Sequence, residues 1–199
     1  MNARSVKLYS RFSHRLRTLA SGALAVALMA GLAACGYGSS HSGNTAGSLS
    51  RTKLYSSVDA IAADSDAVIV GKVNSTTVAR DVDDTTDFTL SSVTVLDSLK
   101  GTEQPNGTVT VRQTGSASQS TPETLLQADD VVLLFLSESG LPGEQAKHYY
   151  ITGATAGLYA ADSKSGDINE AALSNASFSR VNTDSGDTLP ATLTVDDVA

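Results

Sequence analysis

Hydrophobic and polar positions divide the chain into successive stretches. Thr18 to Gly31 is an almost unbroken apolar run rich in Ala and Leu, preceded by a basic stretch from Met1 to Arg17 without acids. Gly36 to Ser50 is then dominated by Gly and Ser and reads as a flexible tether, with residues 35–52 joining the leader to a folded part. From residue 53 to 162 the pattern turns to short apolar alternations broken by turn residues, the signature of a β-rich domain. Beyond Asp162 the periodicity fades, so residues 163–199 are expected to form a loosely ordered tail with one edge element near Thr192–Val195.

Within the β-rich stretch, Ser56–Ala63 predicts a short helix, capped by Ser56 or Ser57 with Asp59 in its first turn. Ala67–Val73 reads as a strand that extends toward Arg80, and Gly71 inside it implies a bulge or a close backbone approach. Asp81–Asp87 is an acidic turn. The next strand covers Thr86 to Ser98, where Phe88 and Leu90 share one parity and Val93 and Val95 the other. A period-two strand keeps both sets on one face only if an extra residue intervenes, which predicts a bulge or bend near Ser91-Ser92. Lys100-Gly101 and Glu103–Gly107 turn the chain into Thr108–Arg112, with Val109 and Val111 inward.

A helical turn is expected over Thr121–Leu126, with Pro122 at its first position. Val131–Leu136 is six apolar residues long and predicts the central strand, covered on both faces. Lys147–Thr152 and Ala156–Ala160 complete the strands. The pattern therefore predicts a mainly β fold with one or two short helices.

The junction between the first two stretches, Leu32-Ala33-Ala34-Cys35, resembles a bacterial lipobox, the signal at which a cysteine is lipidated and becomes residue one of the mature protein. That resemblance implies residues 1–34 as signal peptide, Leu32, Ala33 and Ala34 as peptidase recognition, and diacylglycerol on Cys35. It places the protein at the cell membrane, lipid-anchored on the extracytoplasmic face. The rival readings are an uncleaved transmembrane anchor and ordinary cleavage after a small-residue pair. The apolar run is at the lower limit for spanning and contains Ser21, Gly22 and Gly31. Two or more acyl chains anchor stably where one does not.

Charge follows from this division. The chain has 14 Lys+Arg and 21 Asp+Glu; five of the basic residues and no acid precede Cys35, so the mature part carries nine against 21, a net charge of −12 with His neutral. Phosphate backbones repel such a domain, which excludes nucleic acid as an expected partner. Trp is absent and aromatics make up 5% of the chain, which suits a Val/Leu/Ile core. With one cysteine, no internal disulfide is available.

Candidate chemistry is sparse. Asp81, Asp83, Asp84 and Asp87 are the weak metal candidates; their spacing departs from a calcium loop at Thr86 and Ser92, so a solvated turn is the stronger reading. His41 falls in the tether and His148 in a strand. No Gly-x-Ser-x-Gly elbow, zinc set or nucleotide loop is present. No cofactor is expected. The sequence points to a non-catalytic domain binding an envelope protein, peptide or glycan; a hydrolase of envelope glycans or peptides using paired carboxylates is the alternative.

Four segments, Ser65–Val73, Val93–Gly101, Val109–Val111 and Val131–Leu136, resemble the netrin-like modules related to the tissue inhibitors of metalloproteinases. That resemblance implies a small antiparallel OB-like barrel in which a bent strand pairs with two others; a small antiparallel β-sandwich is the alternative. A protease-inhibitor-like module is a further functional alternative. It departs from the family pattern, whose inhibitors need disulfides and a free N-terminal cysteine amine.

Overall fold

The computed structural model describes residues 51–119, 121, 123–162 and 170–198. Leu32, Ala33, Ala34, Cys35 and His41 lie outside them, as do residues 1–50 altogether.

Helix α1 (Val58–Ala63) is capped by Ser57, whose Oγ accepts from the Ala60 amide, and it buries Ile61. Eight strands follow as one sheet: β1 (Ala67–Ala79), β2 (Phe88–Lys100), β3 (Thr108–Thr114), β4 (Val131–Glu138), β5 (His148–Ile151), β6 (Leu158–Ala161), β7 (Phe178–Arg180) and β8 (Thr192–Leu193). A four-residue helix α2 (Glu170–Leu173) precedes β7, and 3-10 turns occupy Gly143–Lys147 and Val195–Asp197. The order is β1-β2-β3-β5-β4-β6-β7-β8, and β1 also pairs β4. That extra pairing bends the first five strands into a partly closed OB-like ring. One pairing in the otherwise antiparallel sheet is parallel, that of β3 with β5, where Val111 stands opposite Tyr149.

The edge of β4 that faces away from β1 is divided. Val132–Leu134 pair with β6, while Leu136–Glu138 pair with β5. Val132, Leu134 and Leu136 point into the ring with Ile69, Val93, Val95, Val111 and Leu158. Val131, Leu133 and Phe135 point outward, onto a second core of Ile61, Tyr159, Phe178, Leu193 and Val195. The central strand therefore has both faces covered, and the chain beyond residue 170 supplies part of the cover.

This corrects the loosely ordered tail. Phe178 has no exposed surface, and Leu189, Leu193 and Val195 are buried. Their spacing is irregular because they meet the outward face of β4 from short pieces rather than from one strand. The domain also begins earlier than residue 53: the Arg51 guanidinium donates to Gly153 O at 2.9 Å and pairs with Asp187 at 2.7 Å.

The bulges are placed by close contacts. A Cβ on Gly71 would lie 2.4 Å from Val93 Cγ1, so the backbones approach there as only glycine allows; the register shifts between Val70 and Gly71. The extra residue expected near Ser91-Ser92 sits on the opposite strand: Val73 faces Val93 and Ser75 faces Ser92, leaving Asn74 over, while the β2–β3 register runs unbroken. The parity conflict on β2 resolves without an extra residue at Ser91-Ser92; the extra residues β2 does carry against β1 are Leu96 and Leu99. Thr89, Ser91, Val93 and Val95 share the buried parity, while Phe88, on the other face, is covered by Arg112.

The helical turn at Thr121–Leu126 is also corrected, with Pro122 outside the described residues. Gln113, buried on β3, donates from Nε2 to Thr124 O at 2.8 Å and accepts the Leu126 amide at 2.9 Å. Backbone groups that a helix would use internally are held by this one side chain instead.

Candidate functional site

The loop between β1 and β2 folds back over the outer face of β3. Arg112 lies opposite in parity to the inward Val109 and Val111, yet it has no exposed surface. Its guanidinium carbon sits 4.0 Å from the Phe88 ring centroid, and its two terminal nitrogens grip the Asp81 carboxylate, Nη1 to Oδ2 at 2.9 Å and Nη2 to Oδ1. The hydrogen bond from Arg112 holds the Asp81 carboxyl far below its usual range. Gln145, in the loop between β4 and β5, donates to the Asp81 carbonyl at 3.2 Å and ties the two loops together. The Arg112 Nε is buried and meets no partner.

The four acidic candidates of this loop do not converge. Asp81 serves Arg112; Asp83 accepts from the Thr85 hydroxyl and the Thr85 and Thr86 amides, which lowers its pKa to about 2. Asp87 is buried between Arg80, at 2.5 Å, and the Ser116 hydroxyl, at 2.6 Å, and the Arg80 hydrogen bond depresses its pKa. Asp84 is exposed. Among the described residues no three His, Cys, Asp or Glu side chains gather as a metal site would.

His148 opens β5 half-buried, and its Nδ1 is enclosed without a hydrogen-bond partner. A general base needs an orienting carboxylate, and none bonds it. Two features escaped the sequence reading. Glu123 is raised above its ordinary value by burial, beside Gln113 and Thr114. The Tyr149 hydroxyl donates to Glu103 at 2.5 Å, with Glu138 and Asp66 in electrostatic reach; burial and those carboxylates push the phenol well above its usual range. Neither pattern has a linear signature, because the residues come from separate strands and loops.

The most exposed part of the barrel is the far half of β1. From Asn74 to Val78 every residue is exposed, whereas Ala67–Val70 are fully buried. Pairing of β1 with β4 ends at Lys72 opposite Val131. The direction of the free backbone groups follows from the ladder. The Val95 amide donates to Gly107 O and its carbonyl accepts from Asn106, so Val95 directs both groups to the β3 side. By the period of two, Val93, Ser91 and Thr89 do the same. Their partners on β1, namely Val73, Thr76 and Val78, therefore aim away from β2. Val73 confirms it: its amide meets Asp130 O and its carbonyl the Asp129 amide, both at 2.9 Å. Beyond it, Thr76 and Val78 present N–H and C=O to a side along which no described strand runs, with Val78 58% exposed and Val82 54%.

A shallow cleft of about 270 Å³ lies elsewhere, against Arg51, Lys53, Tyr55 and Gly153. Arg51 and Lys53 are already engaged there, by Asp187 and Asp64. No helix among the described residues is long and apolar enough to cross a membrane. Comparison with protein families, with curated proteins and with solved structures finds no match to this chain.

Proposed function

We propose that the chain is an exported lipoprotein, held by acyl chains on Cys35 at the extracytoplasmic face of the cell membrane, that presents one non-catalytic β-domain to another component of the envelope. The observation that carries the binding role is the far half of β1, exposed on both faces with one backbone edge open. The anchor is supported by Leu32-Ala33-Ala34-Cys35 following a basic and then an apolar segment. Intact mass of the membrane-extracted protein tests the anchor: a chain beginning at Cys35 with added diacylglycerol is expected, and an unmodified mass overturns it. Cross-linking in intact envelopes tests the module; a partner set no different from that of a tethered control domain refutes it.

A second reading, a hydrolase of envelope glycans or peptides, is favoured by one feature, the carboxylates of Asp66, Glu103 and Glu138 around the Tyr149 hydroxyl. Turnover of peptidoglycan or glycan substrates that disappears in Glu103→Gln would establish it.

A further inference from the structure

We propose that the open edge of β1, residues 74–79, accepts an extended peptide segment of a partner as an added strand, the partner strand being uncharged and β-branched in its centre and basic at its ends. The proposal rests on the interaction-module reading above. Backbone geometry supplies the first argument: Thr76 and Val78 aim two N–H donors and two carbonyl acceptors at open solvent, which an extended segment satisfies by strand addition. Sheet edges are ordinarily blunted by lysine or proline. Asn-Ser-Thr-Thr-Val-Ala, residues 74–79, contains neither, and its Thr-Thr-Val centre has strong β preference.

Charge supplies the second argument and selects the occupant. Asp129 and Asp130 stand at the Val73 end of the edge, Asp129 with its side chain 75% exposed and a single contact to Lys72 at 3.3 Å. Asp83 and Asp84 stand exposed in the turn beyond the other end. Arg80 and Arg112 are committed to Asp87 and Asp81, so that among the described residues Lys72, on Asp129, is the one cation paired with these four acids. Lys or Arg flanking the incoming segment would meet negative charge at both ends. A second copy pairing antiparallel through the same edge would instead set Asp83 and Asp84 of one copy against Asp129 and Asp130 of the other, which disfavours self-association.

The test uses the full chain in detergent and a fluorescent peptide, acetyl-Lys-Lys-Thr-Val-Thr-Val-Thr-Lys-Lys-amide, read by anisotropy. Saturable binding is expected, weakened by salt and absent for the same peptide with Glu in place of Lys. Thr76→Pro removes an outward donor without removing a β1–β2 ladder bond, and should weaken binding about tenfold or more. Val78→Lys, which keeps the backbone intact, should weaken it as well, by setting a cation where the basic peptide lies. Unchanged affinity in both variants, or peptide binding indifferent to end charge, overturns the proposal. So does sedimentation showing wild-type dimers that Thr76→Pro dissolves, since a second copy would then fill the edge. Envelope cross-links retained in both variants would sink the edge proposal while leaving the module reading standing; their absence in wild type would sink the module reading itself.

Discussion

Arg112 carries its charge with no exposed surface, so its cost of burial is offset only while Asp81 stays against it and Phe88 stays beneath it. Asp81→Asn keeps the shape of the loop but strands the guanidinium, and should destabilise the domain by about 3 kcal/mol, where an exposed pair would contribute under about 1. Adding Arg112→Met should recover much of that loss; urea midpoints of the two single variants and the double check the coupling. Gly71 makes an equally local demand. Gly71→Ala places a methyl 2.4 Å from Val93 Cγ1 and should cost about 2 kcal/mol, since neither strand backbone can retreat from the ring. In the Val93→Ala background the same substitution should cost well under half as much, and a thermal-melt double-mutant cycle would detect that coupling.

At the scale of elements, β4 explains why the chain beyond residue 170 is ordered. A strand apolar on both faces needs two covers, and the ring provides one. Phe178→Ala should therefore cost about 3–5 kcal/mol, as for any large aromatic lost from a core, and a loose tail would have shown no change. The sequence made α1 and most strands of the ring legible: both long strands of the first hairpin, the alternating Val109 and Val111 and the apolar run of β4 stand where periodicity puts them. It also marked Gly71. What it hid is two-body information. Arg112 has the parity of a solvent-facing residue until the β1–β2 loop folds over it, and the Asn74 bulge becomes visible only against the unbroken β2–β3 register. Leu189, Leu193 and Val195 lack period because they fill gaps in another element's surface. Of the open edge, the sequence showed only a polar continuation of β1; that this half lies beyond the reach of β4 depends on where β4 starts, at Val131 opposite Lys72.

For the molecule as a whole, the pH profile of stability follows from its ion pairs. Asp81, Asp83 and Asp87 titrate below 3.8 in the fold because of Arg112, the Thr85 hydroxyl and Arg80 respectively. Burial pushes Asp187 up, but Arg51, Ser185 and the Tyr55 amide outweigh it and hold it low. These carboxylates contribute stability above pH 3.8 that is lost as pH falls through their folded values. Tyr55 and Tyr159 are raised from 10.0 to about 12, chiefly by burial, so stability is held below pH 10 and lost as pH rises toward 12. Urea midpoints are expected to be level between those limits and to drop at both ends. The bond from Arg51 to Asp187 has a consequence in time. It spans 136 residues, and the Tyr55 amide reaches the same carboxylate across 132. On the proposed export route, with the amino end of the domain leading, Arg51 and Tyr55 wait for nearly the whole chain to pass before they meet their partner. On that route the outer core could close only after the chain has passed, and until then the chain would be in a form that translocation machinery can thread and that proteases on the far side can cut.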